Sequence, residues 1–344
     1  MSDQYEISSP SVEDAYKFLN LVPHPDGSLT RINRFPIVPA VPEIDPDDPT
    51  AGAIALSRDI PLNPRHKTYI RLFRPRNVPA ETKLPLIIYF HGGGFVLLSV
   101  KSIIFHELCN HTAAKSPALV ASVEYRLTPE HRLPAAYEDA MEAINWAKTQ
   151  ALAAAEEDGA CDPWIKELAD FSKIFLMGCS AGGNIVYHAA LRALALDLEP
   201  LKIVALIINQ PFFGGLLRTQ SEIEYGASDP VIPLHAMDLM WSLALPVGAD
   251  RQHEYCDPFT IGSHRENIGL LPLSVVRAYA GDILIDRQKG FARMLAALGV
   301  HVVPQFVDGG YHAVDVIEPR FAQALHDDTA AFVRSFSIVD EGQD

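Results

Sequence analysis

The sequence predicts an α/β chain, a mostly parallel central sheet with helices on both faces, and three observations carry that prediction. Short apolar runs of strand character alternate with helix-compatible segments from residue 84 to residue 307. The run Leu84 to Phe90 is continuously apolar, as in a strand buried on both faces, and ends in His91-Gly92-Gly93-Gly94. A second apolar run, Ile174 to Met177, passes at once into Gly178-Cys179-Ser180-Ala181-Gly182 and then into helix-compatible residues through about Leu196. Strand, glycine turn and helix is the context that lets a G-x-S-x-G serine point its hydroxyl out above a sheet.

In chain order, Val12 to Leu21 is weakly amphipathic and is closed by the turn cluster Pro23-His24-Pro25-Asp26-Gly27. Thr30 to Val38 has the character of an edge strand. Pro39 to Thr50 reads as an extended loop whose acids Asp45, Asp47 and Asp48 lack the regular spacing of calcium ligands. Lys67 to Arg74 alternates as a strand, and Ser102 to Lys115 is helical. Ala118 to Val123 is a second buried strand, and Pro134 opens a helix to about Gln150, where a missing N–H does no harm. The alternation continues through Ile203 to Asn209, Ser274 to Ala280 and Val302 to Val307. Two stretches break it. Gln150 to Phe171 reads as surface helix and loop, and Phe212 to Leu273 is too long for an ordinary connection and too rich in Met and aromatic residues for a disordered one. The second is expected to form part of a lid, with the N-terminal 30 residues as its other half.

The 344 residues carry a formal charge of −15 with scattered Lys and Arg, which argues against a phosphate-tracking face for nucleic acid or anionic lipid. Met1 to Ala15 has neither the basic start nor the apolar core of a leader, and no segment has the unbroken length of a membrane span, so the expected address is the cytosol. Four separated cysteines without a C-x-x-C pair are expected to be free thiols. The expected unit is one domain over 1–344, as a monomer or weak homodimer, with no cofactor and no metal.

A serine hydroxyl needs an imidazole to take its proton, and the imidazole needs a carboxylate to fix its tautomer. In a parallel sheet these partners come from loops at the C-terminal ends of strands. Asp282, after the strand ending in Tyr279, and His312, after the last strand, fit, in the chain order Ser180, Asp282, His312. Asp286 is an alternative acid lying deeper in the next helix. Cys179 is an alternative nucleophile whose place before the serine points it into the fold. His106, Glu107 and His111 resemble a zinc helix, but two histidines five positions apart do not share a helical face. The Gly92-Gly93-Gly94 loop and the N–H of Ala181 would supply donors to an oxyanion. Gly94, Phe95, Phe212, Trp241 and Tyr311 are expected to line the substrate pocket.

The chain resembles a plant carboxylesterase of the hormone-sensitive-lipase group of α/β hydrolases. The motifs are PDGSLTR at 25–31, YFHGGGF at 89–95, YRLTPEHRLPAAYEDA at 125–140, GCSAGGN at 178–184, GADRQHEYCDP at 248–258 and GYHAV at 310–314. The resemblance implies an α/β-hydrolase fold with a helical cap from about 1–30 and about 212–265. It also implies Ser180 as nucleophile, Asp282 as acid, His312 as base, and Gly92, Gly93 and Ala181 as oxyanion donors. The implied activity is hydrolysis of a small-molecule ester, such as an acetylated plant metabolite. The same group holds lyases, cyclases and hormone receptors, and the receptors lack the histidine that stands here at His312. Two departures are Cys179, where the group commonly has an acid, and Thr128, where it commonly has Ala.

Overall fold

The computed structural model describes residues 11–43, 54–79, 81–156 and 159–338; the loop acids Asp45, Asp47 and Asp48 lie outside them. The chain begins with helix α1 (Val12–Phe18), whose Ser11 cap and Asp14 exchange hydrogen bonds as a capping box. A small hairpin, β1 (Leu21–Pro23) with β2 (Leu29–Arg31), turns at the predicted Pro-Asp-Gly cluster. The main sheet is built from β3 (Ala55–Asn63), β4 (Thr68–Pro75), β5 (Leu84–Phe90), β6 (Leu119–Glu124), β7 (Ala169–Cys179), β8 (Ile203–Asn209), β9 (Leu273–Tyr279) and β10 (Val302–Val307). Its helices are α2 (Ile103–Lys115), α3 (Ala135–Ala154), α4 (Pro163–Leu168), α5 (Ala181–Ala193), α6 (Gln220–Tyr225), α7 (Leu234–Ala244), α8 (Ile285–Ala297), α9 (Val314–Ile317) and α10 (Pro319–Ile338), with a 3-10 turn at Arg265–Leu270.

The eight strands lie in the order β10-β9-β8-β7-β5-β6-β4-β3. From β6 to β10 every pairing is parallel, whereas β4 joins β6 and β3 antiparallel. Alternation along the central strands feeds two cores. Leu86, Ile88 and Phe90 of β5 with Ile174 and Leu176 of β7 face one side, and Ile87, Tyr89, Phe175 and Met177 face the other. Parallel strands buried this way end at a common edge, and the loops leaving β5, β7, β8, β9 and β10 carry the candidate site.

The expected strand at Thr30 to Val38 is mostly loop: only Leu29–Arg31 pairs, and Ile37 makes a single bridge to Ser102. Strand β3 was not anticipated from sequence. It is an outer strand with half-exposed positions and a register shift at Pro61, so it offers neither a buried run nor unbroken alternation. Its partner β4 holds it through Arg71, fully buried, whose Nε and second terminal nitrogen donate to the two oxygens of Asp59 directly across the pair at 2.7 and 2.9 Å. The stretch after Gln150 is less superficial than expected, since Ile165, Leu168 and Ala169 are buried where α4 leads into β7.

The two stretches outside the alternating core meet over the sheet edge. Helix α1 packs on α7, with Phe18 edge-on to His235 at 5.6 Å. Asn184 of α5 ties the long insertion down, its Nδ2 donating to the carbonyls of Phe212 and Tyr255 at 3.1 and 2.8 Å.

Candidate active site

Ser180 stands between β7 and α5 with φ +56° and ψ −118°, a left-handed conformation rare for a residue with a side chain. The turn can be this tight only with bare neighbours. A Cβ on Gly178 would stand 2.2 Å from the Gly182 carbonyl oxygen, and one on Gly182 would stand 1.9 Å from that of Phe90. The Ser180 N–H donates to Asn209 O at 2.9 Å, and the Ser180 carbonyl accepts from Phe212 N–H at 2.9 Å.

His312 follows β10, and its Nε2 lies 2.9 Å from Ser180 Oγ. Its Nδ1 lies 3.1 and 3.0 Å from the two oxygens of Asp282, in the loop after β9. All three side chains are buried. Burial by itself would lower the His312 pKa, but the charge of Asp282 and the hydrogen bond to it outweigh burial, with smaller help from Asp229 and Asp315, and hold it above the ordinary histidine value. Burial would raise the Asp282 pKa; the imidazole charge and the hydrogen bonds from His312, Leu284 N–H and Gln288 instead hold it below the ordinary carboxylate range. The pair thus favours a carboxylate beside an imidazole able to take a proton from Ser180.

The glycine loop lies against the same turn, since a Cβ on Gly92 would meet Ser180 Cβ at 3.3 Å. Gly93 has φ +115°, and a Cβ there would be 2.1 Å from Leu97 O. Among the described residues, the N–H groups of Gly92, Gly93 and Ala181 donate to no protein acceptor. His91, completely buried, anchors the loop: it stacks on Tyr125 at 4.2 Å, Tyr125 OH donates to its carbonyl, and burial pulls its imidazole down to about 4.

A cavity of about 180 Å³ opens above Ser180 and His312. Gly92, Gly93 and Gly94 form one wall, and Leu97, Leu98, Ile104 and Phe105 another. Leu19, residues 31–35, Pro230, Val231, Ile232 and Met240 close it from above.

Four residues expected to line this cavity do not. Phe95, Phe212 and Trp241 are fully buried behind the glycine loop as one aromatic cluster, with Phe212 stacked on Trp241 at 4.7 Å and Phe95 5.7 Å from Trp241. The reason lies in α7: one residue along a helix turns the side chain by about 100°, so Trp241 enters the core while Met240 faces the cavity beside Gly94. Tyr311 turns aside, its hydroxyl donating to Glu318 at 2.8 Å. Gly94 does line the cavity.

The alternatives considered for the site lie elsewhere. Asp286 accepts from Ser221 N–H at 2.9 Å. Cys179 is buried, and burial followed by the nearby Asp315 pushes its thiol pKa well up. His106 contacts Arg71 and Phe73, while His111 faces His326, on different sides of α2. One group of possible metal ligands occurs among the described residues, His66, Asp139 and Glu142, and both Asp139 oxygens already accept from Arg126.

Sequence reasoning missed three buried polar residues behind Ser180, His312 and Asp282. Gln210 and Gln288 both donate to Asp282 Oδ2, at 2.8 and 2.9 Å. Asp315 accepts from Asn209 at 3.0 Å, and burial pushes it up to about 6 against that hydrogen bond and Arg277. The only sequence signal was polarity where a strand ends or a helix turns inward.

The α/β hydrolase fold family matches residues 87–316, the span from within β5 to within α9. A probable carboxylesterase 8 from Arabidopsis thaliana is 46% identical over 330 residues, covering 95% of this chain and 96% of that protein. The chain belongs to the plant carboxylesterases. A 3-O-acetylpapaveroxine carboxylesterase from Papaver somniferum is similar to this carboxylesterase at 46% identity over 320 residues, covering 91% of this chain and 97% of its own. The solved esterase from Pyrobaculum calidifontis superposes with a TM-score of 0.67 at 27% identity, covering 82% of this chain and 85% of that one. Carboxylic ester hydrolysis is the activity of the family to which this carboxylesterase belongs, and no helix among its described residues is long and apolar enough to cross a membrane.

Proposed function

We propose that this carboxylesterase cleaves a small plant-metabolite ester, with a short acyl group such as acetyl, through an acyl-enzyme on Ser180. The observation that carries the reading is the continuous hydrogen-bonded line from Ser180 Oγ through both nitrogens of His312 to Asp282. His312 takes the serine proton as Oγ attacks the ester carbonyl, and the imidazolium, held by Asp282, returns that proton to the departing alcohol. Water then enters, gives its proton to His312, and releases the acid and the free serine. The negative charge that develops on the carbonyl oxygen meets the unpaired N–H groups of Gly92, Gly93 and Ala181, each worth about 3 kcal/mol of transition-state stabilisation. The short acyl group is supported by the modest cavity and by the acetyl ester named for the Papaver relative. Leu19, just after α1, and Pro230 to Met240 of the insertion act as the cap in this reading.

Ser180→Ala tests it. The variant should fold as the wild type, lose roughly 10⁶-fold in kcat on 4-nitrophenyl acetate, and no longer be labelled by a fluorophosphonate. In ¹⁸O-labelled water, hydrolysis places the label in the released acid, whereas elimination places none. A fully active Ser180→Ala protein, or a wild type that is folded but never labelled, overturns the assignment.

A further inference from the structure

The end of β8 reaches Ser180, Asp282 and both chain neighbours of His312 through two consecutive residues. Asn209 accepts the Ser180 N–H on its backbone carbonyl at 2.9 Å, and its side-chain amide donates to Asp315, three residues beyond the base, at 3.0 Å. Gln210 is completely buried. Its Nε2 donates to Asp282 Oδ2 at 2.8 Å and to Tyr311 O at 3.1 Å, and its Oε1 accepts from Ala313 N–H at 3.1 Å. One amide therefore holds the triad acid together with the residues immediately before and after His312.

The backbone of Gln210 lies at φ +43°, and Ala313 lies at +62°. Side-chain-bearing residues rarely adopt such conformations unless their surroundings over-determine them. At Gln210 the surroundings are the three side-chain bonds and the backbone N–H, which donates to Arg277 O at 2.8 Å. An amide suits the place chemically, because it donates and accepts at the same time and does not titrate. A carboxylate there would repel Asp282, and an ammonium could not accept from Ala313.

We propose that Gln210 is a positioning residue of the triad, which sets the Asp282 carboxylate and the two peptide groups flanking His312 in register so that the imidazole keeps its Nε2 on Ser180. The proposal rests on the reading of Ser180, His312 and Asp282 as the ester-cleaving triad. Gln210 lines no part of the cavity, so its work shows in turnover and not in substrate binding. Gln288 provides the internal control: it donates to the same Asp282 oxygen but touches neither peptide beside His312.

The experiment compares kcat and KM on 4-nitrophenyl acetate for wild type, Ser180→Ala, Gln210→Met, Gln210→Asn and Gln288→Met. Gln210→Met keeps the side chain's bulk and removes its hydrogen bonds. Displacement of a reacting group by about 1 Å costs on the order of 10²-fold, so kcat should fall about 100-fold with KM within about twofold. Should Gln210→Met not fold, Gln210→Asn is the variant to read. Asn tolerates left-handed backbone but is one methylene too short to span Asp282 and Ala313, and it should show the same split. Gln288→Met should lose less than about tenfold. A folded Gln210 variant with wild-type kcat, a loss carried by KM, or a Gln288→Met loss as large as that of Gln210→Met overturns the proposal. An inactive wild type or an active Ser180→Ala protein instead removes the underlying reading of the site.

Discussion

The floor of the cavity and its roof are built on different principles. The floor is made of loops leaving the parallel strands, and it concentrates unusual backbone: among the described residues with a side chain and positive φ, Phe95, Leu98, Ser180, Gln210 and Ala313 all belong to it. Its acid is held from four directions, Asp282 accepting from His312, Leu284 N–H, Gln210 and Gln288. The roof, from Leu19, residues 31–35 and the segment through α7, lines the cavity with a mostly apolar set of residues in which Arg31, Asn33 and Arg34 are the polar ones, and it is fastened around its margin. Arg31 donates to Val96 O at 2.6 Å, to Thr128 O at 2.7 Å and to Glu130; Arg132 donates to Ser242 O and Leu245 O, both at 2.7 Å. A floor whose acid and base are held by several hydrogen bonds can keep reacting atoms in place, whereas a mostly apolar roof fastened at its edges can vary in shape without disturbing them. Changes in the floor should therefore act on kcat, and changes in the roof on which ester is chosen.

The largest effect should come from the floor. Asp282→Asn leaves shape intact but offers His312 an amide in place of a charge, so kcat should fall about 10⁴-fold, read by initial rates on 4-nitrophenyl acetate. Next is the pH dependence. In the proposed mechanism His312 works as a base only when neutral, and its pKa is raised, so kcat/KM should fall about tenfold per pH unit below a midpoint lying above 6.5, the unperturbed histidine value. The residual activity of Asp282→Asn should have that midpoint moved to lower pH, because burial then acts without the main charge opposing it; an unmoved midpoint would mean that another group sets the limb. The smallest effect belongs to the roof. Met240→Ala enlarges the cavity beside Gly94, and the ratio of kcat/KM for a bulky acyl ester over an acetyl ester should rise about tenfold, with kcat on the acetyl ester nearly unchanged. A large kcat loss in that variant would erase the distinction between roof and floor.

The sequence exposed the floor more fully than the roof. The elbow, the glycine loop and the order Ser180, Asp282, His312 could be read because each requires a particular residue at a particular junction of strand and loop. The structure brings Ser180, Asp282 and His312 within hydrogen-bonding distance, with Gly92 against the elbow. The aromatic residues Phe95, Phe212 and Trp241 sit near the glycine loop as their positions suggested, yet they face the core. Residues 31–35 line the cavity from a stretch that read as strand. Gln210 gave no warning, since a lone glutamine after a buried strand has many uses and its partners lie 72 and 103 positions further along the chain.

From the residues alone came the alternating parallel sheet, the tight turns that only glycine permits and the chemical identities presented at the strand ends, because each is a property of local chain and chain order. Tertiary packing decided which side of α7 faces the cavity, what roofs it and which amide binds Asp282 together with the peptides on either side of His312. Those outcomes depend on where remote segments come to rest against one another, and a difference of one residue along a helix is enough to exchange a cavity wall for a core.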